Sequence, residues 1–135
     1  MNVVDLFSTP VCVKNLKPLS KAVVKKIYAY ETKEDWQFKI LQSKNTYILD
    51  EIFLKNLKKE INSFIKEYVD EILKPSSDLK FYITQSWLNY TNEKQTHNPH
   101  FHPNSIISGV YYINADPKLD YICLLYTSPS PRDGF

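Results

Sequence analysis

Hydrophobic periodicity changes abruptly at Pro75, and this change restricts the chain to folds that combine helices with β-strands. Over residues 50–74, apolar side chains recur at three- and four-residue spacing, which is typical of one face of an amphipathic helix. These side chains are Phe53, Leu57, Ile61, Phe64, Ile65, Tyr68 and Ile72. Because proline cannot continue a helix, Pro75 marks the predicted end of this helix.

The residues after Pro75 are typical of strands instead. Residues 80–91 and 105–114 are rich in aromatic and β-branched side chains, and a polar stretch separates them. Before the long helix, Ser20 is suited to cap a first helix that runs to about Trp36. Helices first and strands second predict an α+β fold, with a sheet or barrel that has only begun before the chain ends.

All three histidines lie between the two predicted strands, in the stretch HNPHFHPNS. His100 and His102 are two residues apart, and such side chains point to the same face of an extended backbone. Two imidazoles can therefore reach one metal ion, and imidazole suits Fe, Zn, Cu or Ni. The direction of His97, which lies in the loop before them, does not follow from the sequence. The pair alone fits either a metal site or histidines with a structural or surface role.

Charge and composition argue against several classes of protein. The net charge is +2 and the lysines are dispersed, so nothing indicates a nucleic-acid or membrane partner. No apolar run is long enough to span a bilayer, and no signal peptide is evident. Cys12 and Cys123 are too few and too far apart for a disulfide framework or a zinc knuckle. We therefore expect a cytoplasmic protein.

Residues 123–135 differ in composition from the rest of the chain. The only arginine, Arg132, lies there, whereas lysine is the basic residue everywhere else. The stretch CLLYTSPSPRD also reads as one frame of a translated sequencing adapter. We therefore expect the native sequence of this chain to stop near residue 122 and to be the N-terminal part, residues 1–122, of a longer domain. Cys123 should then carry no function.

The stretches FYITQSWLNYT and HFHPNSIISGVYYIN, with LFSTP near the N-terminus, resemble 2-oxoglutarate- and Fe(II)-dependent oxygenases of phages and marine bacteria. The likeness spans nearly all of residues 5–122, and HxHPxSxxSGVYY is its most specific part. The resemblance implies N-terminal helices followed by an incomplete double-stranded β-helix, a jelly-roll and cupin-like core. It also implies Fe(II) and 2-oxoglutarate as cofactors, with an unidentified small molecule or protein as substrate and a virus as one source of the gene.

The same resemblance implies the residues of the site. His100 is the first iron ligand, and His102 stands where these enzymes usually carry Asp. In the prolyl-hydroxylase branch, the residue that matches Tyr112 binds the distal carboxylate of 2-oxoglutarate, and Tyr90 matches a strand tyrosine ten residues before the first ligand. Ser108 shares the predicted cavity face with Tyr112, so all three are implied to bind the cofactor. Tyr112 fits an ordinary core tyrosine equally well.

Two features depart from the family pattern. An imidazole in place of a carboxylate changes the charge of the site by one unit and weakens its preference for iron. The family also has a distal His and an Arg that binds 2-oxoglutarate, but no His follows His102, and Arg132 lies in the tail. We therefore expect the chain to lack a complete site and to be prone to aggregation. The alternatives are a non-catalytic jelly-roll binding module and a cupin-like metalloprotein that does not use 2-oxoglutarate.

Overall fold

A computed structural model of the chain describes residues 9–35, 39–76, 79–93, 95–97 and 99–124. The described part contains two α-helices and one small antiparallel sheet of three strands. The α+β class predicted from the sequence is therefore confirmed. Neither helix in these ranges has the length and apolar character that crossing a membrane would require.

Helix α1, Lys21–Tyr28, begins where the sequence predicted but ends earlier. The Ser20 hydroxyl accepts a hydrogen bond from the backbone N–H of Val23 at 3.3 Å, as expected of an N-cap. The predicted continuation to about Trp36 is wrong, because residues Thr32–Glu34 form strand β1. Pairing with a neighbouring strand satisfies the backbone groups there. Trp36 itself lies outside the described residues.

The long helix predicted over residues 50–74 is present, but it starts gradually. Two short 3₁₀ turns, Ile48–Asp50 and Ile52–Leu54, precede helix α2, which spans Lys55–Tyr68. Glu51 separates the two turns because its backbone is extended, with ψ at 135°. The turns still bury one apolar side chain each, so this segment contributes to the core before the regular helix begins.

The end of this helical segment agrees with the sequence. A π-helical turn, Val69–Leu73, follows α2. The backbone N–H of Lys74 donates a hydrogen bond to the carbonyl of Val69 at 2.8 Å and ends this turn. Lys74 has a left-handed backbone with φ at 43°, and such a residue commonly ends a helix. Pro75 comes directly after it and prevents further helix.

The sheet joins the region after α1 to the region before the histidines. Strand β2, Leu41–Ser43, lies between β1 and β3, Asn89–Tyr90, and both pairings are antiparallel. The fully buried Ser43 hydroxyl donates to the carbonyl of Asn45 at 2.7 Å and accepts from the N–H of Leu88 at 3.0 Å. This side chain therefore fixes the approach of β3 to β2.

The strand predicted over residues 80–91 is shorter in the structure. Only Asn89–Tyr90 belong to the sheet, and Ser86 forms a single parallel bridge with Tyr47. Residues 79–85 form no strand, because within the described part no neighbouring strand pairs with them. The prediction of the element is thus confirmed in position and wrong in length.

The strand predicted over residues 105–114 is not formed in the structure. In the described part of the chain, no backbone-to-backbone hydrogen bond joins residues 106–113 to another segment. The side chains nevertheless alternate. Tyr111 and Ile113 pack against the core, whereas Val110 is 62% exposed and Tyr112 is 50% exposed. A jelly-roll core therefore stays a prediction.

The core lies between the helical segments and the residues that lead into β3. Its buried members belong to α1, the two 3₁₀ turns, the start of α2 and the segment before β3. They are Ile27, Ile48, Leu54, Leu57 and Leu88. A satisfied polar cluster borders it: the Tyr30 hydroxyl donates to Glu51 Oε1 at 2.6 Å, and the Asn45 amide donates to both at 3.1 Å. The helices and the sheet are therefore packed as one unit.

Candidate metal centre

The loop that carries the histidines is held against the sheet by Gln95. Its side-chain oxygen accepts from the N–H of Asn92 at 2.7 Å, and its side-chain nitrogen donates to the carbonyl of Lys39 at 3.1 Å. Lys39 lies in the turn between β1 and β2. The histidine loop, which follows β3, is therefore bonded to the turn that precedes β2, at the same end of the sheet.

His100 and His102 lie close together, as their spacing predicted. Their ring centroids are 5.1 Å apart, with an edge-to-face angle of 79°. A metal–nitrogen bond of about 2.1 Å puts each centroid about 3.2 Å from the ion, so two cis imidazoles have centroids about 4.5 to 5.2 Å apart. The observed separation falls within this range. The ring separation is therefore compatible with two ligand positions of one metal ion.

The described residues supply this pair and no larger metal-binding group. Within the described ranges, no three His, Cys, Asp or Glu side chains are placed to hold an ion together. Two neutral imidazoles are suitable donors for Fe(II), but a facial triad needs a third protein ligand. The donor set therefore fits part of an iron site and does not complete it. Arg132 and the rest of residues 125–135 lie outside the described residues.

His97 differs from the other two histidines. It is half-buried, whereas His100 and His102 are exposed. Its ring centroid lies 5.9 Å from that of His100, which exceeds the range for two cis ligands. Burial lowers the pKa of His97, the neighbouring His100 lowers it further, and Asp35 acts in the opposite direction. His97 is thus placed beside the pair, with its neutral form favoured.

Tyr90 is held at the end of α1. Its hydroxyl donates to the carbonyl of Ile27 at 2.6 Å, and its ring packs against the core. Burial raises its pKa above the ordinary value, and the nearby Tyr28 and Tyr30 add to this rise. Its hydroxyl is therefore engaged in a bond that supports the fold.

Ser108 and Tyr112 share an exposed face, as the alternation of residues 105–114 predicted. The hydroxyls of Ser105 and Ser108 are 3.2 Å apart, and Ser105 also donates to the carbonyl of Ile107. In the described part of the chain, neither Ser108 nor Tyr112 makes a hydrogen bond or a ring contact with the histidines. The structure therefore does not bring the implied cofactor residues to the histidine pair.

Two residues that act on the histidines were not predicted from the sequence. The Trp87 ring lies 5.7 Å from the His102 ring, and the Asp35 carboxylate acts on His97. Trp87 lies on the predicted strand that leads to the loop, so strand alternation could have indicated it. Asp35 lies more than sixty residues before His97, in the turn between β1 and β2, which is bonded to the histidine loop through Lys39 and Gln95. No local sequence signal could have shown this.

The comparison with known families points to the same part of the chain. Residues 85–130 match the sequence model of the family described as "Putative 2OG-Fe(II) oxygenase". This segment is therefore similar to oxidoreductases named for Fe(II) and 2-oxoglutarate, and it contains all of the predicted site residues. They are Tyr90, His100, His102, Ser108 and Tyr112. The match also extends into residues 123–135, so it does not mark a boundary at residue 122. No curated protein and no solved structure matches the chain.

Proposed function

We propose that residues 1–122 are the N-terminal part of a 2-oxoglutarate- and Fe(II)-dependent dioxygenase that hydroxylates a small molecule or a protein. The observation that carries the proposal is the cis-compatible spacing of His100 and His102 within the segment that matches the oxygenase family. The family match alone covers less than half of the chain, and the ring geometry alone would fit several metals. Together they favour Fe(II) over a purely structural role for these histidines.

The chain contributes binding and orientation to this reaction. When bound, Fe(II) and 2-oxoglutarate supply the oxidation itself. His100 and His102 would hold the ion through neutral ring nitrogens on one face of the loop. Ser108 and Tyr112 would offer hydroxyl groups to a carboxylate of 2-oxoglutarate, and both are exposed and therefore accessible. Tyr90 could do the same only after releasing the carbonyl of Ile27.

The missing part of the site is proposed to lie in the native sequence after residue 122. That sequence would supply a distal histidine as the third ligand and an arginine for the second carboxylate of 2-oxoglutarate. We propose the cytoplasm as the compartment, in a phage or a marine microbe. The free and exposed thiol of Cys12 is compatible with a reducing compartment.

A cupin-like metalloprotein that does not use 2-oxoglutarate is the second candidate. The observation that favours it is His102 itself, because a site with two imidazoles in sequence lacks the carboxylate of the usual oxygenase motif. Such a site has a weaker preference for Fe(II) over Zn(II) or Cu(II). A full-length protein that binds the metal but does not turn over 2-oxoglutarate would support this candidate.

The full-length gene provides the decisive experiment. The gene should first be resequenced from a library prepared without this adapter. The full-length protein should then convert 2-oxoglutarate to succinate only when Fe(II) is added. His100→Ala should abolish this turnover, whereas Glu93→Gln, an exposed change in the same loop, should leave it unchanged. Turnover that survives His100→Ala would contradict the ligand assignment. A native continuation without a distal His and Arg would contradict the proposed function.

Trp87 provides a separate test on the chain of 135 residues. Because its ring lies 5.7 Å from that of His102, a paramagnetic ion held by the histidine pair should quench its fluorescence. Co(II) is a suitable probe of this kind. Quenching should saturate on titration and disappear in His102→Ala, and Trp87→Phe should remove the part of the emission that responds. Equal quenching in the His102→Ala variant would show that Co(II) does not bind at this pair.

A further inference from the structure

Trp87 lies on a short stretch of backbone that is bonded to the rest of the fold on both sides. Before it, the backbone N–H of Ser86 donates to the carbonyl of Thr46 at 2.8 Å. After it, the N–H of Leu88 donates to the Ser43 hydroxyl at 3.0 Å, and the carbonyl of Leu88 accepts from the N–H of Ser43 at 2.9 Å. Leu88 is also a buried member of the core. The backbone of Trp87 is therefore fixed relative to the sheet and the core.

The half-buried side chain of Trp87 contacts the histidine pair. Its ring centroid is 5.7 Å from that of His102, and the two ring planes are inclined by 41°. Aromatic rings attract each other at centroid distances of about 4.5–7 Å and prefer offset or inclined arrangements to a face-to-face stack. Within the described ranges, the other ring contact of His102 is with His100, at 5.1 Å. Trp87 is therefore the aromatic side chain that joins His102 to the fixed part of the fold.

The loop itself restrains the His102 ring much less than this contact does. The side chain is exposed, and the hydrogen bond at its backbone is a long one, from the N–H of Ser105 to the carbonyl of His102 at 3.4 Å. Gln95, which bonds the loop to Lys39, lies well before His102 in the chain. An exposed side chain in such a loop samples several rotamers unless a neighbouring group favours one of them. The Trp87 ring is placed to do so.

We propose that Trp87 is a positioning residue for the metal pair, and that its ring holds the His102 imidazole in the orientation that binds the ion beside His100. The inference rests on the proposed function, because it requires that the two histidines bind a metal ion. Metal-binding histidines are commonly oriented by a group that hydrogen-bonds the second ring nitrogen. Trp87 acts through ring packing instead, which leaves the ring nitrogens of His102 to the ion and to other partners.

The size of the effect follows from the fraction of molecules in which His102 is correctly oriented. An ion that binds only this orientation has its apparent affinity reduced in proportion to that fraction. The contribution of one aromatic pair corresponds to about a 2- to 10-fold change in such an equilibrium. Loss of the Trp87 ring should therefore weaken metal binding by that factor without abolishing it.

Calorimetric titration of the chain of 135 residues with Co(II) tests this inference, because its readout does not depend on tryptophan emission. Trp87→Leu removes the ring and should weaken binding by about 2- to 10-fold. Trp87→Phe keeps an aromatic ring and should restore most of the affinity. Tyr82→Leu is the matched control, since it removes an aromatic ring that is 79% exposed on the same predicted strand, and it should leave the affinity unchanged. Urea unfolding of each variant checks that it is folded.

Proton NMR of the metal-free chain gives a readout that a purely structural role of Trp87 would not produce. The ring current of Trp87 should displace the resonances of the His102 ring protons, which are assigned by their absence in His102→Gln. In Trp87→Leu these resonances should move toward the values of an unfolded peptide, whereas those of His97 should stay in place. In the unsubstituted chain, nuclear Overhauser contacts between the Trp87 and His102 rings should be present, and this measurement requires no variant to fold.

The outcomes separate this inference from the proposed function. Absence of the Overhauser contacts, or unchanged Co(II) affinity in Trp87→Leu, would overturn the role of Trp87. An equal loss of affinity in Tyr82→Leu would overturn it as well. If His102→Ala still abolished binding in these cases, the proposed metal pair would stand. Unchanged binding in His102→Ala would overturn the metal pair and this inference together.

Discussion

The tyrosines of this chain differ in what their hydroxyl groups contact. Tyr30 donates to the Glu51 carboxylate, Tyr90 donates to the carbonyl of Ile27, and the hydroxyl of Tyr28 accepts from the amide of Asn114. Tyr112, on the exposed face, is half exposed. Whether a tyrosine stabilises the fold or is available to a ligand therefore depends on what its hydroxyl group contacts and on how deeply it is buried.

Stability should decrease in alkaline solution because of Tyr30 and Tyr90. The hydrogen bond to Glu51 raises the pKa of Tyr30 above 10.0, and burial raises that of Tyr90. Since the folded state holds both protons more tightly than the unfolded state, their stabilisation is complete below the ordinary pKa and is lost as the pH rises through the raised values. Urea unfolding at increasing pH should show this loss. A Tyr30→Phe/Tyr90→Phe variant should show a weaker pH dependence, and an identical dependence would contradict the assignment.

Tyr90→Phe should destabilise the chain by about 0.5–1.5 kcal/mol at neutral pH. The variant removes one hydroxyl donor and keeps the ring in the core. The loss of unfolding free energy should lie toward the lower end of this range, because the carbonyl of Ile27 still accepts a hydrogen bond from the N–H of Tyr30 at 3.0 Å. The midpoint of urea unfolding measures it, with Tyr82→Phe, an exposed tyrosine, as the control. A loss no larger than that of the control would show that the bond does not contribute.

The parts of the site that depend on neighbours in sequence could be predicted, and those that depend on the fold could not. The spacing of His100 and His102 was sufficient to predict that their rings are close, because side chains two residues apart in an extended backbone point to the same face. The hydrogen bond of Tyr90 to the end of α1 and the electrostatic effect of Asp35 on His97 join residues more than sixty positions apart. No periodicity of a single sequence contains that information.

At the scale of elements, the helices were predicted more accurately than the strands, for a physical reason. The start of α1 at Ser20 and the helix end before Pro75 follow from side chains within one turn of each boundary. A strand instead needs a partner that the local sequence does not specify. Residues 80–91 and 105–114 both have strand composition, but in the described part of the chain only Asn89–Tyr90 pair as a strand of the sheet, and Ser86 forms a single bridge.

The 3₁₀ turn Ile52–Leu54 offers a matched pair of substitutions. Leu54 is 2% exposed within the core, whereas Ile52 is 91% exposed in the same turn. Leu54→Ala should cost about 2–5 kcal/mol of unfolding free energy, because it removes buried methyl groups and leaves a cavity. Ile52→Ala should change stability by less than about 0.5 kcal/mol. Urea unfolding of both variants measures the difference, and similar losses would show that this turn does not anchor the core.

At the scale of the whole molecule, burial is distributed unevenly along the chain. The core cluster is built from residues between Ile27 and Leu88, whereas most apolar side chains of residues 101–124 are exposed. The most exposed ones there are Phe101, Ile106, Val110, Leu119 and Tyr121. Exposed apolar segments of strand-like composition can pair with other chains, and proteins usually protect exposed strands with charges or a covering element. Residues 105–114 contain no charged side chain.

The chain should therefore self-associate through residues 105–114 as its concentration rises. A single lysine within an uncharged apolar stretch opposes such pairing, so Val110→Lys should reduce association in sedimentation velocity and lower the binding of a hydrophobic dye. Ile52→Lys is the control, because it adds the same charge at an exposed apolar residue of a helical turn. It should leave association largely unchanged. An equal reduction in both variants would show that net charge, and not the exposed segment around Val110, controls association.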